Sequence, residues 1–192
     1  MINQLRTSLL MLLALTVLTG VIYPLAVNGV AQGVFPHQAN GSLIRDGERA
    51  VGSELIGQSF SGPRYFWGRL SATGPVPYNA AASSGSNYGP LHPDLKSAAE
   101  KRIAALAVDG TPAGSIPVDL VTSSGSGLDP HISPAAAEFQ VPRVAKAREL
   151  TEDQLRTMIA THTEGRQAGI LGEPRVHVLR LNLALDRLQN PK

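Results

Sequence analysis

Ser126, Asp129 and His131 lie a few positions apart and supply the residue types of a nucleophile, an orienting acid and a general base. The G-x-S-x-G nucleophile elbow is absent, and Asp129-Pro130 is a turn dipeptide, so a structural turn outweighs a triad. The neighbouring run Ser123-Ser124-Gly125-Ser126-Gly127 could present backbone amides to an anion. It lacks the Lys-Ser/Thr ending of a P-loop and is not G-x-G-x-x-G, so no nucleotide site is expected there. The histidines at 37, 92, 131, 162 and 177 include no i, i+4 pair and no H-E-x-x-H, and there is no cysteine. Glu152-Asp153 falls where a helix first turn favours negative charge in any case. No catalytic, cofactor-binding or metal-ligating residue is therefore expected, and binding or assembly fits better than catalysis.

Composition narrows the partners. Seventeen Lys and Arg against fifteen Asp and Glu leave a formal charge of +2, which gives no basic patch for nucleic acid. The 192 residues, 43% of them hydrophobic, suffice for one domain and an accessory segment. Absence of cysteine excludes disulfides and thiolate chemistry without fixing the compartment.

The accessory segment is a membrane helix. From Thr7 to Ile44 there is no Asp, Glu, Lys or Arg. Residues 8–30 form a helix of about 34 Å, enough for a ~30 Å hydrocarbon core. The run is too long for a signal-peptide h-region and is followed by no clean A-x-A site, which favours an uncleaved anchor. Arg6 and the N-terminal amine on one side, against the distant Arg45 and Arg49, place residues 1–7 in the cytoplasm and residues 31–192 outside it. Gly20 and Pro24 are expected to kink the helix, and a kink in lipid calls for a neighbour that accepts the freed backbone groups. Both are candidate partner contacts.

Beyond the helix, residues 35–41 read as an interfacial connector and residues 42–67 as short strands and turns. Residues 71–93 form a long loop rich in Gly, Ser, Ala, Asn and Pro. Within it Asn79, Ser86, Asn87 and Tyr88 are spaced as candidate partner contacts. A helix is expected from Pro93 or Asp94, with Leu95, Ala99, Ile103 and Leu106 on one face and Gly110 as its stop. Ile116–Thr122 has the alternation of a strand. Ser133-Pro134 caps and opens a helix, and Thr151 with Gln154 has the capping-box pattern for another, with Leu155, Met158, Ile159 and His162 facing inward. Val176–Leu183 is the last expected strand. The mixture implies an α/β domain, with α+β as the alternative.

Several strings, read together, resemble the C subunit of the Kdp potassium-transporting P-type ATPase. They include Gln38-Ala39-Asn40-Gly41-Ser42-Leu43-Ile44, Leu55-Ile56-Gly57-Gln58-Ser59-Phe60, Tyr65-Phe66-Trp67-Gly68-Arg69 and Ser83-Ser84-Gly85-Ser86-Asn87. Val118-Asp119-Leu120-Val121-Thr122, the run from Gln140 to Arg148 and the run from Leu181 to Asp186 continue the series in order. Leu70, Ala80, Ser84 and His92 depart from the family pattern. The resemblance implies a non-catalytic accessory subunit in the cell inner membrane, needed for assembly of an ATP-driven potassium importer. Its implied partners are membrane lipid, a channel-like potassium-translocating subunit and an ATP-hydrolysing P-type subunit. ATP, Mg and K ions would belong to the complex, and no cofactor to this chain. The family's C subunit is described as a catalytic chaperone that raises the ATP affinity of the hydrolysing subunit; because ATP is cytoplasmic and the domain is expected outside, that effect would be indirect. The rival from a different class is a membrane-anchored extracytoplasmic hydrolase unrelated to transport.

Overall fold

The computed structural model describes residues 1–107 and 113–189. The chain divides into two compact units, Met1–Ile44 and Arg45–Lys192.

The first unit is dominated by one continuous helix, Ile2–Val34, long and apolar enough to cross a membrane, with none of the spanning window's side chains buried. It comprises α1 (Ile2–Val17), a π-helical turn (Leu18–Ile22) and α2 (Tyr23–Val34). The Tyr23 amide reaches back to the Leu18 carbonyl, five residues away. Pro24 has no N–H to offer the Gly20 carbonyl one turn earlier. The expected irregularity at Gly20 and Pro24 thus takes the form of a widened turn, a common way for a helix to absorb such a defect. A single short turn, α3 (Pro36–Ala39), follows in the connector.

Strands β1 (Leu43–Asp46) and β2 (Arg49–Ser53) form a two-stranded sheet. A long irregular stretch then runs to α4 (Pro93–Leu106), where His92 accepts from the Asp94 amide and Pro93 opens the first turn. The expected inner face holds: Leu106 is buried and Leu95, Ala99 and Ile103 are half-buried. Gly110, the expected stop, lies outside the described residues.

Residues 118–121 correct the sequence expectation of a strand. They form one helical turn, α5 (Val118–Val121), with Leu120 buried and Val118 exposed. The alternation at Val118, Leu120 and Thr122 is misleading because Pro117 starts a turn that the Thr122 amide closes on the Val118 carbonyl.

The second sheet has the order β3-β5-β4, with β3 (His131–Ile132), β4 (Thr163–Glu164) and β5 (Arg175–His177) paired antiparallel. Two helices intervene: α6 (Pro134–Arg148), capped by Ser133, and α7 (Glu152–Thr161), opened by the full Thr151/Gln154 capping box. The domain is mixed helix and sheet, and its antiparallel strands favour the α+β alternative.

The expected strand Val176–Leu183 is also corrected. The extended segment is only Arg175–His177, and α8 (Val178–Gln189) follows at once. Val178, Leu181, Asn182 and Leu185 are buried at helical spacing, and the Arg180 amide donates to His177 Nδ1 at the helix start. Together with Phe66, Leu120, Val141, Val144, Leu155 and Val176, this face builds the single core of the second unit.

Candidate functional site

Phe66 and Trp67 run through the core outside any strand, so their backbone groups need side-chain partners. Asn182 of α8 supplies both for Phe66: its Oδ1 accepts from the Phe66 amide and its Nδ2 donates to the Phe66 carbonyl, each at 2.9 Å. Gln140 of α6 does the same for Trp67, at 2.7 and 3.1 Å. Both amides are 1% exposed. Two guanidinium groups lie over the Trp67 ring, Arg143 at 4.3 Å and Arg102 at 5.0 Å from its centroid.

Arg102 ties α4 to this frame through the carbonyls of Leu120 (3.0 Å) and Gly68 (2.8 Å). Burial pulls its pKa below the usual arginine range, with Tyr78 opposing that shift. Tyr78 donates its hydroxyl to the Arg69 carbonyl at 2.6 Å, and burial pushes its pKa up. Its ring closes so tightly over Gly57 that a Cβ there would meet the ring at 2.4 Å.

The two Ser/Gly-rich segments meet. The Ser84 amide and the Ser83 hydroxyl both donate to the Ser126 carbonyl at 3.0 Å. Ser71 donates to the Gly127 carbonyl at 2.7 Å, and Ser123 donates to the Ser86 hydroxyl at 3.1 Å. At Gly127, with φ +68, a Cβ would also strike the Ser84 carbonyl and the Thr73 side chain. The small residues are therefore required for close approach of two backbones.

Between this double loop and α4 lies an open groove of about 580 Å³, lined by Leu70, Ser86, Tyr88, Lys101, Arg102 and Ser123 among others. It gathers two of the expected contact residues, Ser86 and Tyr88, and Tyr88 also stacks on His92 at 4.6 Å. Asn87 is exposed in left-handed backbone between them. Asn79 is turned to local work: it accepts from the Ala81 amide and donates to the Gly74 carbonyl. Gly20 and Pro24 lie in the other unit.

Ser126, Asp129 and His131 do structural work in these loops. Ser126 Oγ accepts from the Leu128 amide, and Asp129 accepts from the His131 amide at 2.9 Å and from Arg69 at 3.2 Å. Burial alone would raise the Asp129 pKa, but the bonds from His131 and Arg69 outweigh it and hold the carboxyl below its usual range. Among the described residues no group of three or more His, Asp or Glu is placed to hold a metal.

A family model described as the K+-transporting ATPase, c chain (KdpC), matches residues 5–187. The chain belongs to the KdpC family. It is 60% identical over 187 residues to a potassium-transporting ATPase KdpC subunit of Sorangium cellulosum, covering 97% of this chain and 98% of that protein. It is 62% identical over 176 residues to that of Burkholderia vietnamiensis, covering 91% of each, and 57% identical over 185 residues to that of Burkholderia mallei, covering 96% of each.

Two of the KdpC-like strings contain the frame's chief supports, Gln140 and Asn182, whose structural role the sequence reading missed. The signal was there: each is a carboxamide on a mostly apolar helix face, and a buried amide is kept only where it has partners. Also missed was the β4–β5 hairpin, although Gly165, Gly169, Gly172 and Pro174 punctuate it.

Proposed function

We propose that this chain is a non-catalytic accessory subunit of a high-affinity, ATP-driven potassium import complex. The helix Ile2–Val34 anchors it, and the second unit serves assembly outside the cytoplasm. The observation that carries this reading is KdpC membership across residues 5–187, joined to a helix whose apolar side chains are all left for lipid or a neighbouring helix. The partners are a channel-like subunit that moves K+ and a P-type subunit that hydrolyses ATP with Mg; the catalytic site lies on the latter. Any rise in ATP affinity that this chain brings is indirect.

Sequence asymmetry supports the orientation, with Arg6 before the span and Arg45 and Arg49 well beyond it. Residues 1–7, 8–30 and 31–192 are then the cytoplasmic, spanning and outer parts, with the helix Ile2–Val34 continuing past both ends of the spanning part. The full chain should co-purify with both partner subunits from solubilised membranes, and removal of its first thirty residues should reduce that recovery at least tenfold. In right-side-out spheroplasts added protease should digest the second unit. Protection of that unit until the membrane is opened would reverse the orientation.

A further inference from the structure

The groove between α4 and the double loop carries positive charge that the described residues leave unanswered. Ala98, Lys101, Arg102 and Ala105 line it at the spacing of one helical face, with the two basic side chains between two small ones. Ser86 and Ser123 line the facing wall, and no Asp or Glu is among the lining residues. Arg102 is half-buried; its Nε and Nη2 donate to the Leu120 and Gly68 carbonyls, and Nη1 has no bond to any described residue. Among the described residues no carboxylate pairs with Arg102 or with the exposed Lys101 beside it. Elsewhere in the same domain Arg69 meets Asp129 at 3.2 Å and Arg148 meets Asp186 at 2.8 Å.

A cation drawn out of water is costly unless an opposite charge meets it. The two carbonyls orient the Arg102 guanidinium and the Trp67 ring faces it at 5.0 Å, but none of these brings a full negative charge. We infer that this groove binds a phosphate group, held by Arg102 and Lys101 from α4 and by the Ser86 hydroxyl from the facing loop. Ser86 Oγ accepts from the Ser123 hydroxyl at 3.1 Å, which leaves its own proton to donate. Donors on two facing walls suit a tetrahedral group with several acceptor oxygens better than a planar carboxylate, and the guanidinium and ammonium supply the matching charge. The groove is open, so the phosphate is either that of a soluble anion or that of a phospholipid headgroup. The site is complete within this chain and does not depend on assembly with other subunits.

The full-length chain in dodecyl maltoside, a detergent without phosphate, gives the test. Inorganic phosphate should raise its Tm saturably, whereas sodium chloride at equal ionic strength should not, and K101Q should weaken phosphate binding by about tenfold or more. Lys101 is exposed and unpaired, so K101Q should keep the circular dichroism and the phosphate-free Tm of the unmodified chain; S86A, which removes the facing donor, should weaken binding by a smaller factor. Short-chain phosphatidylglycerol then separates the two sources. Displacement of bound phosphate by that lipid, followed by phosphorus NMR, would assign the site to a headgroup, and phosphate binding that the lipid leaves undisturbed would assign it to a soluble anion. Equal responses to phosphate and chloride, or unmodified phosphate binding in K101Q, would overturn the inference.

Discussion

At the residue scale two buried carboxamides hold the centre of the second unit. Phe66 and Trp67 bring large rings to the core but leave their amides and carbonyls inside it, and Asn182 and Gln140 answer them one for one. An unmet buried hydrogen-bonding group costs roughly 1–3 kcal/mol. Asn182→Leu keeps the volume and strands both Phe66 groups, so it should destabilise the domain by about 2–5 kcal/mol. For a chain of this size that lowers Tm by about 5–15 °C in calorimetry. A change within a degree or two would mean that water replaces the amide and that the frame is less dry than its exposure indicates. Arg148, with a fully buried side chain, has a related task, reaching the Arg64 carbonyl at 2.6 Å and Asp186 at 2.8 Å.

At the element scale, β5 and α8 are joined through His177. Its Nε2 faces the Glu54 carbonyl at 3.0 Å, while Nδ1 accepts the Arg180 amide at 3.3 Å, so the neutral ring satisfies both neighbours. Burial depresses its pKa below 6.5; His131, edge-on at 5.2 Å, and Arg180 add to that, while the Glu54 bond and Glu164 oppose it. The unfolded chain therefore binds the proton more readily. This contribution is full above about pH 6.5 and is lost as pH falls through the depressed folded value. The Asp129 contribution is lost only on acidification below its ordinary 3.8. Thermal unfolding should thus show a fall in Tm between pH 7.5 and 5.5 that His177→Gln flattens; an unchanged slope in that variant would place the titration elsewhere. The same junction marks the limit of what the sequence revealed. The capping signals at Ser133-Pro134 and Thr151/Gln154 are local and were legible, as was the apolar face of α4. Val176–Leu183 was not, because a short run of Val and Leu satisfies both periods and only the buried Asn182 decides for a helix. The groove was half legible: Ser86 and Tyr88 line it, but Lys101 and Arg102 reach it from α4. Asn79, also singled out as a partner contact, bonds its own turn through the Ala81 amide and the Gly74 carbonyl.

At the scale of the whole molecule, the proposed orientation puts the second unit across the membrane from cytoplasmic nucleotide, so on that reading any influence of this chain on ATP binding passes through a preferred state of the assembled complex. Coupling of that kind is typically worth about 1–3 kcal/mol, or about 5- to 150-fold in affinity, and it is reciprocal. If this chain tightens ATP binding by some factor, ATP must tighten the hold of the complex on this chain by the same factor. Titrating the labelled full-length chain into complexes that lack it, with and without a non-hydrolysable ATP analogue, measures the second factor; nucleotide titration of complexes with and without the chain measures the first. The two should agree within error, and a photoreactive ATP analogue should label the hydrolysing subunit alone. Labelling of this chain that disappears when the Ser123–Gly127 loop is altered would show direct contact. It would overturn the indirect mechanism and, with it, the placement of the domain outside the cytoplasm, because the same loop cannot meet cytoplasmic ATP from the far side of the membrane.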